Sequence, residues 1–517
     1  MALFIDSTDR LLIPSWREFG KSQSELTPIG QHKHPIEKGD IQEYLVEWRG
    51  NKNLVTAGEL ITAAIVNGQT EDPEVCAAAR FVTDYPLKVP VALTNASKGI
   101  LSIPVTEDID PTVRFPIHAK IAKLKKLLIA YPTTAIYHIE IARQYMLLGQ
   151  LERAEAHINA ALYFDCHNRY VVRSAARFLI HRDEGEKAIA VLRHSGLTKM
   201  DPWLMASEIS VSRKFEKRSP NLRKAIDLID SKNFSNFDLT ELCGTIGMEE
   251  YESGGYKKSR KLFNQSLTAA NDNSFAQAQW MAKNRQMDLI FPNAPINTSF
   301  KEALCYEKFF AGDFKSALQY AIQWQDETPY SLKSAMFGSG ISTTFQKDYK
   351  TSVRLLSTYL RTNQRSKAAL NDLAYAYALD NDTVNAQKNI NLAAREIDRN
   401  NYELVDICIY ATQGLILFRE GMAEEGMKFY DIAVESSRRL PDNKDMLHSA
   451  ILNYTRELLL HSKDEATREK VINLLAEVPE KPDDSANAVM KEEVEKMLKD
   501  GSKGSPQDND NENNNQQ

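Results

Sequence analysis

Apolar positions along most of this chain recur every three or four residues, the spacing that keeps one face of an α-helix hydrophobic. The pattern starts at Ile41 with Tyr44, Leu45 and Trp48, and predicts a helix pair around residues 57–67 and 73–85. Upstream, residues 1–38 hold Pro14, Pro28, Pro35, Gly20 and Gly30 without a sustained period, which predicts an irregular N-terminal arm or small cap over the first helices. Residues 39–116 read as an N-terminal helical region followed by a connector. There Pro86, Pro90, Pro104, Pro111 and Pro116 interrupt the helical spacing, and VPVAL and ILSIPV predict short extended pieces. Beyond Phe115 the helical pattern runs almost without a break.

Within that stretch small residues return at fixed offsets. Ala142 is followed by Tyr145, Gly149, Ala154, Ile158 and Ala161, and Ala176, Ala188 and Leu192 repeat the set 34 residues on. Ala142 and Ala154 suit the place where two antiparallel helices cross most closely, Gly149 suits the end of the first helix, and Ile158 and Ala161 suit contact with the next unit. Gly312, Phe314, Ala317 and Pro329 follow the same order, and Gly340, Ser352 and Leu356 start another copy. Ala374, 34 residues after Gly340, opens a copy with Tyr377, Ala386, Ile390 and Ala393; Gly414, Leu417, Gly421, Gly426, Tyr430 and Ala433 form a further copy. Gly254, Tyr256, Ser259 and Phe263 make the second half of one more.

This 34-residue helix-turn-helix unit, with short residues at the crossing, an aromatic after the first, a turn glycine and a closing proline, resembles the tetratricopeptide repeat family. The resemblance implies an all-α fold, an α-solenoid of seven or eight units across residues 117–440, with a degenerate pair near 55–86. Two departures stand out. No unit has the family's tryptophan at the start of its first helix, and residues 213–220 and 289–297 read as insertions. Residues 441–500 predict a helical pair and a capping helix in which Met490, Val494, Met497 and Leu498 face inward while Lys491, Glu492, Glu493 and Glu495 face water. The polar, low-complexity residues 501–517 predict a disordered tail.

Composition narrows the function classes. The 517 residues carry 64 basic and 70 acidic side chains, a formal charge of −6, so no whole-protein field favours a nucleic acid. No run of eighteen apolar residues predicts a membrane span, and the polar residues Asp6, Asp9 and Arg10 break any leader-like stretch. Cys76, Cys166, Cys243, Cys305 and Cys408 lie far apart and odd in number, which predicts neither a disulfide framework nor a zinc ribbon and places the protein in the cytoplasm.

Chemistry-bearing motifs are sparse. There is no phosphate-binding GxxxxGK[ST] loop and no HExxH. Gly338-Ser339-Gly340 falls inside a predicted first helix, where close packing accounts for it. His32 and His34 form an HxH pair without a second set of ligands, and Cys243 has no partner histidine in its motif. No cofactor or metal is expected.

Recognition surfaces remain. In the family's geometry the first helix of each unit lines the concave side, with the positions one after and three before the crossing residue projecting inward. Those positions hold Arg143, Arg173 and Arg177 in the first two units and Asn371 and Tyr375 in the unit around Ala374. Three guanidinium groups on one wall suit the bidentate capture of carboxylates, hence an acidic peptide or a chain terminus; Asn371 and Tyr375 resemble the family's polar, aromatic lining for peptide backbone. Pairing with internal acids competes with this for Arg143, which follows Glu140 by three residues, whereas no acid lies between Cys166 and Arg182. The expectation is a non-catalytic interaction scaffold or regulatory subunit binding a peptide segment or protein partner, with oligomeric state left open. The alternatives are a peptide-sensing regulator and a regulatory partner of a separately encoded effector enzyme, such as a protease or nuclease of a bacterial defence or signalling system. A DNA-reading helix-turn-helix at residues 54–85 is disfavoured, because Glu59, Glu71, Asp72, Glu74 and Asp84 face a phosphate backbone with the wrong sign. Replacing Ala142 or Ala374 by leucine should overpack the crossing and cost about 1–3 kcal/mol, read as a lower urea midpoint; an unchanged midpoint would place the crossing elsewhere.

Overall fold

The computed structural model describes residues 10–19, 41–67, 69–85, 89–101, 111–231, 233–293, 295–398, 403–440, 443–482 and 484–502. Among the described residues every regular element is helical. Helices α1 (Gln42–Gly50), α2 (Leu54–Asn67), α3 (Pro73–Thr83) and α4 (Val91–Ile100) close around Trp48, Leu60, Ile61, Ala78 and Val82. Pro73 sits in the first turn of α3, and the Asp72 side chain accepts from the Glu74 amide.

The proline-rich connector departs from the extended reading. VPVAL belongs largely to α4, with Pro90 at its N-cap, where a missing N–H breaks no helical bond. Of ILSIPV, Ile100 and Leu101 end α4 and the rest lies outside the described residues. Pro111 opens α5 (Pro111–Ala130) and Pro116 lies within it, so the start of the array drawn at residue 117 falls inside a helix. Pro90 and Pro111 thus begin helices instead of interrupting a pattern, because a first turn has no use for their N–H.

Antiparallel pairs follow. Helices α6 (Ala135–Leu147) and α7 (Leu151–Phe164) pack together, as do α8 (Arg169–His181) and α9 (Gly185–His194), α10 (Pro202–Lys214) and α11 (Leu222–Asp230), and α12 (Asn236–Glu252) and α13 (Tyr256–Leu267). Helix α14 (Asp272–Asn284) is followed by a non-helical stretch that includes the insertion at 289–297. Next come α15 (Lys301–Phe310), α16 (Phe314–Glu327), α17 (Leu332–Gly340) with a π-helical turn (Ile341–Gln346), and α18 (Tyr349–Leu360). The pairs α19 (Lys367–Leu379) with α20 (Thr383–Arg395), α21 (Leu404–Arg419) with α22 (Ala423–Arg438), and α23 (Lys444–His461) with α24 (Glu465–Leu475) precede the last helix, α25 (Ser485–Ser502). The chain divides into two compact units that part between Ala303 and Leu304, within α15.

One geometric rule runs through the pairs. Ala142 and Ala154, Ala176 and Ala188, and Ala374 and Ala386 are each 0% exposed at the crossing of their two helices. The same twelve-residue offset joins Ser259, whose hydroxyl donates to Gly247 O at 2.7 Å, and Cys305, whose thiol lies 3.4 Å from Ala317 O. Gly414 and Gly426 are the tightest case: a Cβ on either would sit 3.0 Å from the carbonyl oxygen of the other. Seven residues past the first crossing residue the backbone turns left-handed, through Gly149, Gly254, Gly312 and Gly421 but also through Asp183 (φ 60°), Lys347 (φ 53°) and Asn381 (φ 61°). The turn therefore persists where the glycine is absent. Each unit is an all-α solenoid of tetratricopeptide-like repeats among the described residues.

The C-terminal helix differs from the simple cap. Met490 and Val494 are buried as their spacing predicts, yet α25 packs along α23 and reaches the π-helical turn, where Glu493 meets Lys347 at 2.7 Å. Lys491, read as facing water, is 8% exposed and donates to Pro479 O at 2.8 Å. The disordered-tail reading falls on residues 503–517, outside the described residues apart from Gly501 and Ser502, which end α25.

The α6–α7 pair contains a titrating contact. His138 Nδ1 and His157 Nδ1 are 3.0 Å apart, so one must be protonated and the other an acceptor. Burial, with His138 and Lys125 adding to it, pulls His157 down from 6.5 to about 4. Between those values the unfolded chain takes up a proton that the folded chain refuses, so stability falls as pH drops from about 6.5 toward 4. His157→Gln should flatten that part of the stability–pH curve, measured as urea midpoints at pH 7 and pH 4.5; an unchanged acid slope would assign it to other groups.

Candidate interaction faces

Within the unit ending at Ala303, the first helices α6, α8, α10, α12 and α14 line one side, and that side is covered by residues 10–19. This strap runs against the chain order of the pairs. Arg10 forms a two-pronged pair with Glu302, Nε and Nη2 each 2.8 Å from a carboxylate oxygen, and its Nη2 also donates to Asn273 Oδ1 at 2.7 Å. Gln277 Nε2 of α14 donates to Arg10 O at 2.9 Å. Leu12 packs at Gly244, where a Cβ would meet Leu12 Cδ1 at 3.0 Å and Gln277 Oε1 at 2.4 Å. Trp16 lies edge-on to Phe178 of α8 with ring centroids 6.4 Å apart. Arg17 Nη2 donates to Asp272 Oδ2 at 2.5 Å, and its carbonyl lies 3.0 Å from the Tyr170 hydroxyl. At the far end the Phe19 amide donates to Glu140 Oε1 at 3.0 Å, and Glu18 pairs with Lys120 of α5.

Burial along the strap alternates. Arg10, Leu12, Pro14 and Trp16 are buried, while Leu11, Ile13 and Ser15 are half-buried, as in an extended segment with one face inward. Leu12 and Trp16 are 0% exposed, and burying a leucine alone contributes about 1.5–3 kcal/mol. Burial pushes the Asp272 carboxyl above its ordinary range; Arg17 and the Ala303 amide pull it back. Lys120, desolvated beside Arg143 and Lys123, falls to about 8 despite Glu140 nearby.

The arginines expected to meet a ligand are placed differently. Arg173 is 4% exposed and bonded on all sides: Nη1 and Nη2 reach the two Glu241 oxygens at 2.8 and 3.1 Å, and Nη1 donates to Trp203 O at 3.1 Å and Ser207 Oγ at 3.0 Å. Its guanidinium lies over the Trp203 ring, 4.9 Å from the centroid. Asn271 and Asn273 also donate to Glu241, at 3.0 and 3.3 Å. The acid that satisfies Arg173 comes from α12, 68 positions along the chain, where a search among helical neighbours could not find it. Arg143 is buried at 6% near Lys120, and Arg177 is half-buried near Lys214, whose ammonium is depressed chiefly by burial and then by Arg177. Toward the strap this face turns the carboxylates Glu140, Asp272 and Glu302 and, at its α5 end, the ammonium of Lys120.

In the unit from Leu304 onward the first helices are closed over as well. Asn371 is 0% exposed and its Nδ2 donates to Asp372 Oδ1 at 2.9 Å. Tyr375, on the same helix, donates to Asn453 Oδ1 of α23 at 2.9 Å, and burial pushes its phenol up. Arg419 and Arg456 share Glu457 Oε1, at 3.2 and 2.9 Å. Helix α25 lies on this side, tied down by the Ser449 hydroxyl on Asn487 Oδ1 at 2.7 Å. The sequence candidates thus fall into two separate sets, Arg143, Arg173 and Arg177 in one unit and Asn371 and Tyr375 in the other.

Other motif residues take packing places. The Cys243 thiol is pushed up to about 12 by burial. A Cβ at Gly338 would lie 2.8 Å from Leu355 Cδ1, so GSG serves helix packing. His32 and His34 lie outside the described residues. No helix among the described residues is long and apolar enough to cross a membrane.

No family model matches the chain, and no curated protein is similar to it in sequence. Among solved structures it is similar to the hetero-tetramer Cut9-Hcn1 of APC/C, at 12% identity and a TM-score of 0.33, covering 89% of this chain and 92% of that one. It is also similar to yeast Tom70 (12% identity, TM-score 0.30, 89% and 95% covered) and to a tetratricopeptide repeat protein from Parabacteroides merdae (12%, 0.26, 54% and 97%). At these values the likenesses say nothing about a partner, and the architecture is read from the helix pairs themselves.

Arg173→Met should leave the Glu241 carboxylate buried without its cation and cost about 3–5 kcal/mol in urea unfolding. The double variant with Glu241→Gln should recover a large part of that loss. Equal losses in the two variants would mean that the pair is not the source.

Proposed function

We propose that the protein is a non-catalytic interaction scaffold that binds segments of protein chain on its first-helix faces. The observation that carries this reading is the strap: ten consecutive residues outside every helix pair run across α5 to α15, held by side chains of the first helices. A face that grips an extended segment of its own chain has the shape, apolar seats and paired charges to grip one from another chain. Thiols at Cys243 and Cys408 pushed up to about 12 by burial support a role without nucleophilic cysteine chemistry. The five cysteines, odd in number and scattered along the chain, support placement in the reducing cytoplasm.

The strap also favours a second reading, a peptide-sensing regulator, since a face filled from within has a filled and an open state. Both readings place the partner on the same helices. A photo-cross-linking residue at position 177, on the half-buried inner side of α8, should give partner adducts, whereas one at Tyr163, 85% exposed on the second helix α7, should give none. Adducts only from position 163 would overturn the reading.

A further inference from the structure

We infer that residues 10–19 are a resident competitor, and that the face beneath them takes in trans an extended segment of the same grammar: arginine, an aliphatic two residues on, and an aromatic–arginine pair after a further four. The inference rests on the scaffold reading and adds to it the class of ligand.

The grammar follows from fixed partners. Glu302 and Asn273 bind the first guanidinium in a planar, two-pronged geometry that a lysine cannot copy. The space at Gly244 admits an aliphatic group because no side chain fills it. Phe178 and Tyr170 supply ring edges for Trp16 and Phe19, and Asp272, whose side chain is 2% exposed, needs a cation beside it. These seats are set by side chains 121 to 292 positions away, so the site is complete in the helices and the strap brings only its own side chains and backbone.

Two features mark the strap as replaceable. Its main chain is gripped by side chains: Gln277 on Arg10 O, Asn273 on Ile13 O at 3.4 Å, Tyr170 beside Arg17 O and Glu140 under the Phe19 amide. Its fit also leaves a polar atom unserved. Gln277 is 1% exposed, and while its Nε2 donates to the strap, its Oε1 is buried without a hydrogen-bond partner. Leu11 and Leu12, the residues beside it, offer no donor on their side chains. A segment with a hydroxyl or amide there would pair the atom and bind better than the resident. The charge pattern sets the signs along the ligand: Glu302 and Asp272 select cations at the Arg10 and Arg17 places, and Lys120 accommodates an acid at the Glu18 place.

The test uses the full chain. A fluorescent peptide of residues 10–19 is titrated against the wild-type chain and against the Trp16→Ala/Arg17→Ala chain, with anisotropy as readout. The strap variant should bind it at least about tenfold more tightly, the ratio expected when the resident leaves a tenth or fewer of the faces open. A peptide with the same two changes should not bind, and adding Asp272→Asn to the strap variant should abolish uptake of the wild-type peptide. Equal binding by both chains, binding by neither, or loss of the cooperative melt in the strap variant would each overturn the inference and make the strap an integral part of the unit. A chain that takes up the peptide yet gives no partner adducts at position 177 would leave this inference standing and remove the scaffold reading.

Discussion

Two helices can lie side by side at close range only where neither carries bulk at the crossing, and this steric condition underlies the pairs whose crossing residues lie twelve positions apart. Alanine, glycine, serine and cysteine meet it at positions twelve apart, and at Gly414 and Gly426 the backbones themselves form the contact. Once the crossing is set, the length of the first helix and the left-handed turn after it follow. Asp183, Lys347 and Asn381 accept that turn although each meets a Cβ penalty there of about 1–2 kcal/mol. Tertiary packing of the two helices outweighs the local cost.

Close pairing has a consequence for charge. First helices brought together put Glu140, Arg173, Glu208, Glu241, Asp272 and Asp406 into surroundings with little water. A buried ion without a partner costs several kcal/mol, so each of these needs a donor or a counter-ion. Arg173 finds Glu241, Lys367 reaches Asp406 at 2.8 Å, and Glu208 accepts from Arg193, Ser212, Ser219 and Asn221. Asp272 and Glu302 are answered by Arg17 and Arg10 from the strap. Burying such pairs does little for net stability compared with apolar packing, but it strongly disfavours arrangements that separate them.

That distinction bears on recognition chemistry drawn from residue type alone. Arginines at inward positions point to a wall that attracts acids, and the reading is sound as far as side-chain direction goes. What it leaves out is where the counter-charges fall. Arg173 is met by Glu241 of α12, and the strap meets Glu302 and Asp272 with Arg10 and Arg17 and Lys120 with Glu18.

The sequence by itself determined the helical class, the 34-residue period, the crossing residues at Ala142, Ala176 and Ala374, and the inward side of α25 at Met490 and Val494. Each depends on contacts within one helix pair, where spacing along the chain maps directly onto position in space. The alternation of Arg10, Leu12, Pro14 and Trp16 was also present to be read, but it is short, and a two-residue period names no destination. Only the tertiary structure decided that the strap crosses α5 to α15, that Glu241 meets Arg173, and that α25 reaches the turn after α17. Those contacts join residues 68 to 292 positions apart, and at that range a charge or an apolar side chain is compatible with many partners until the stacking of helices leaves one within reach.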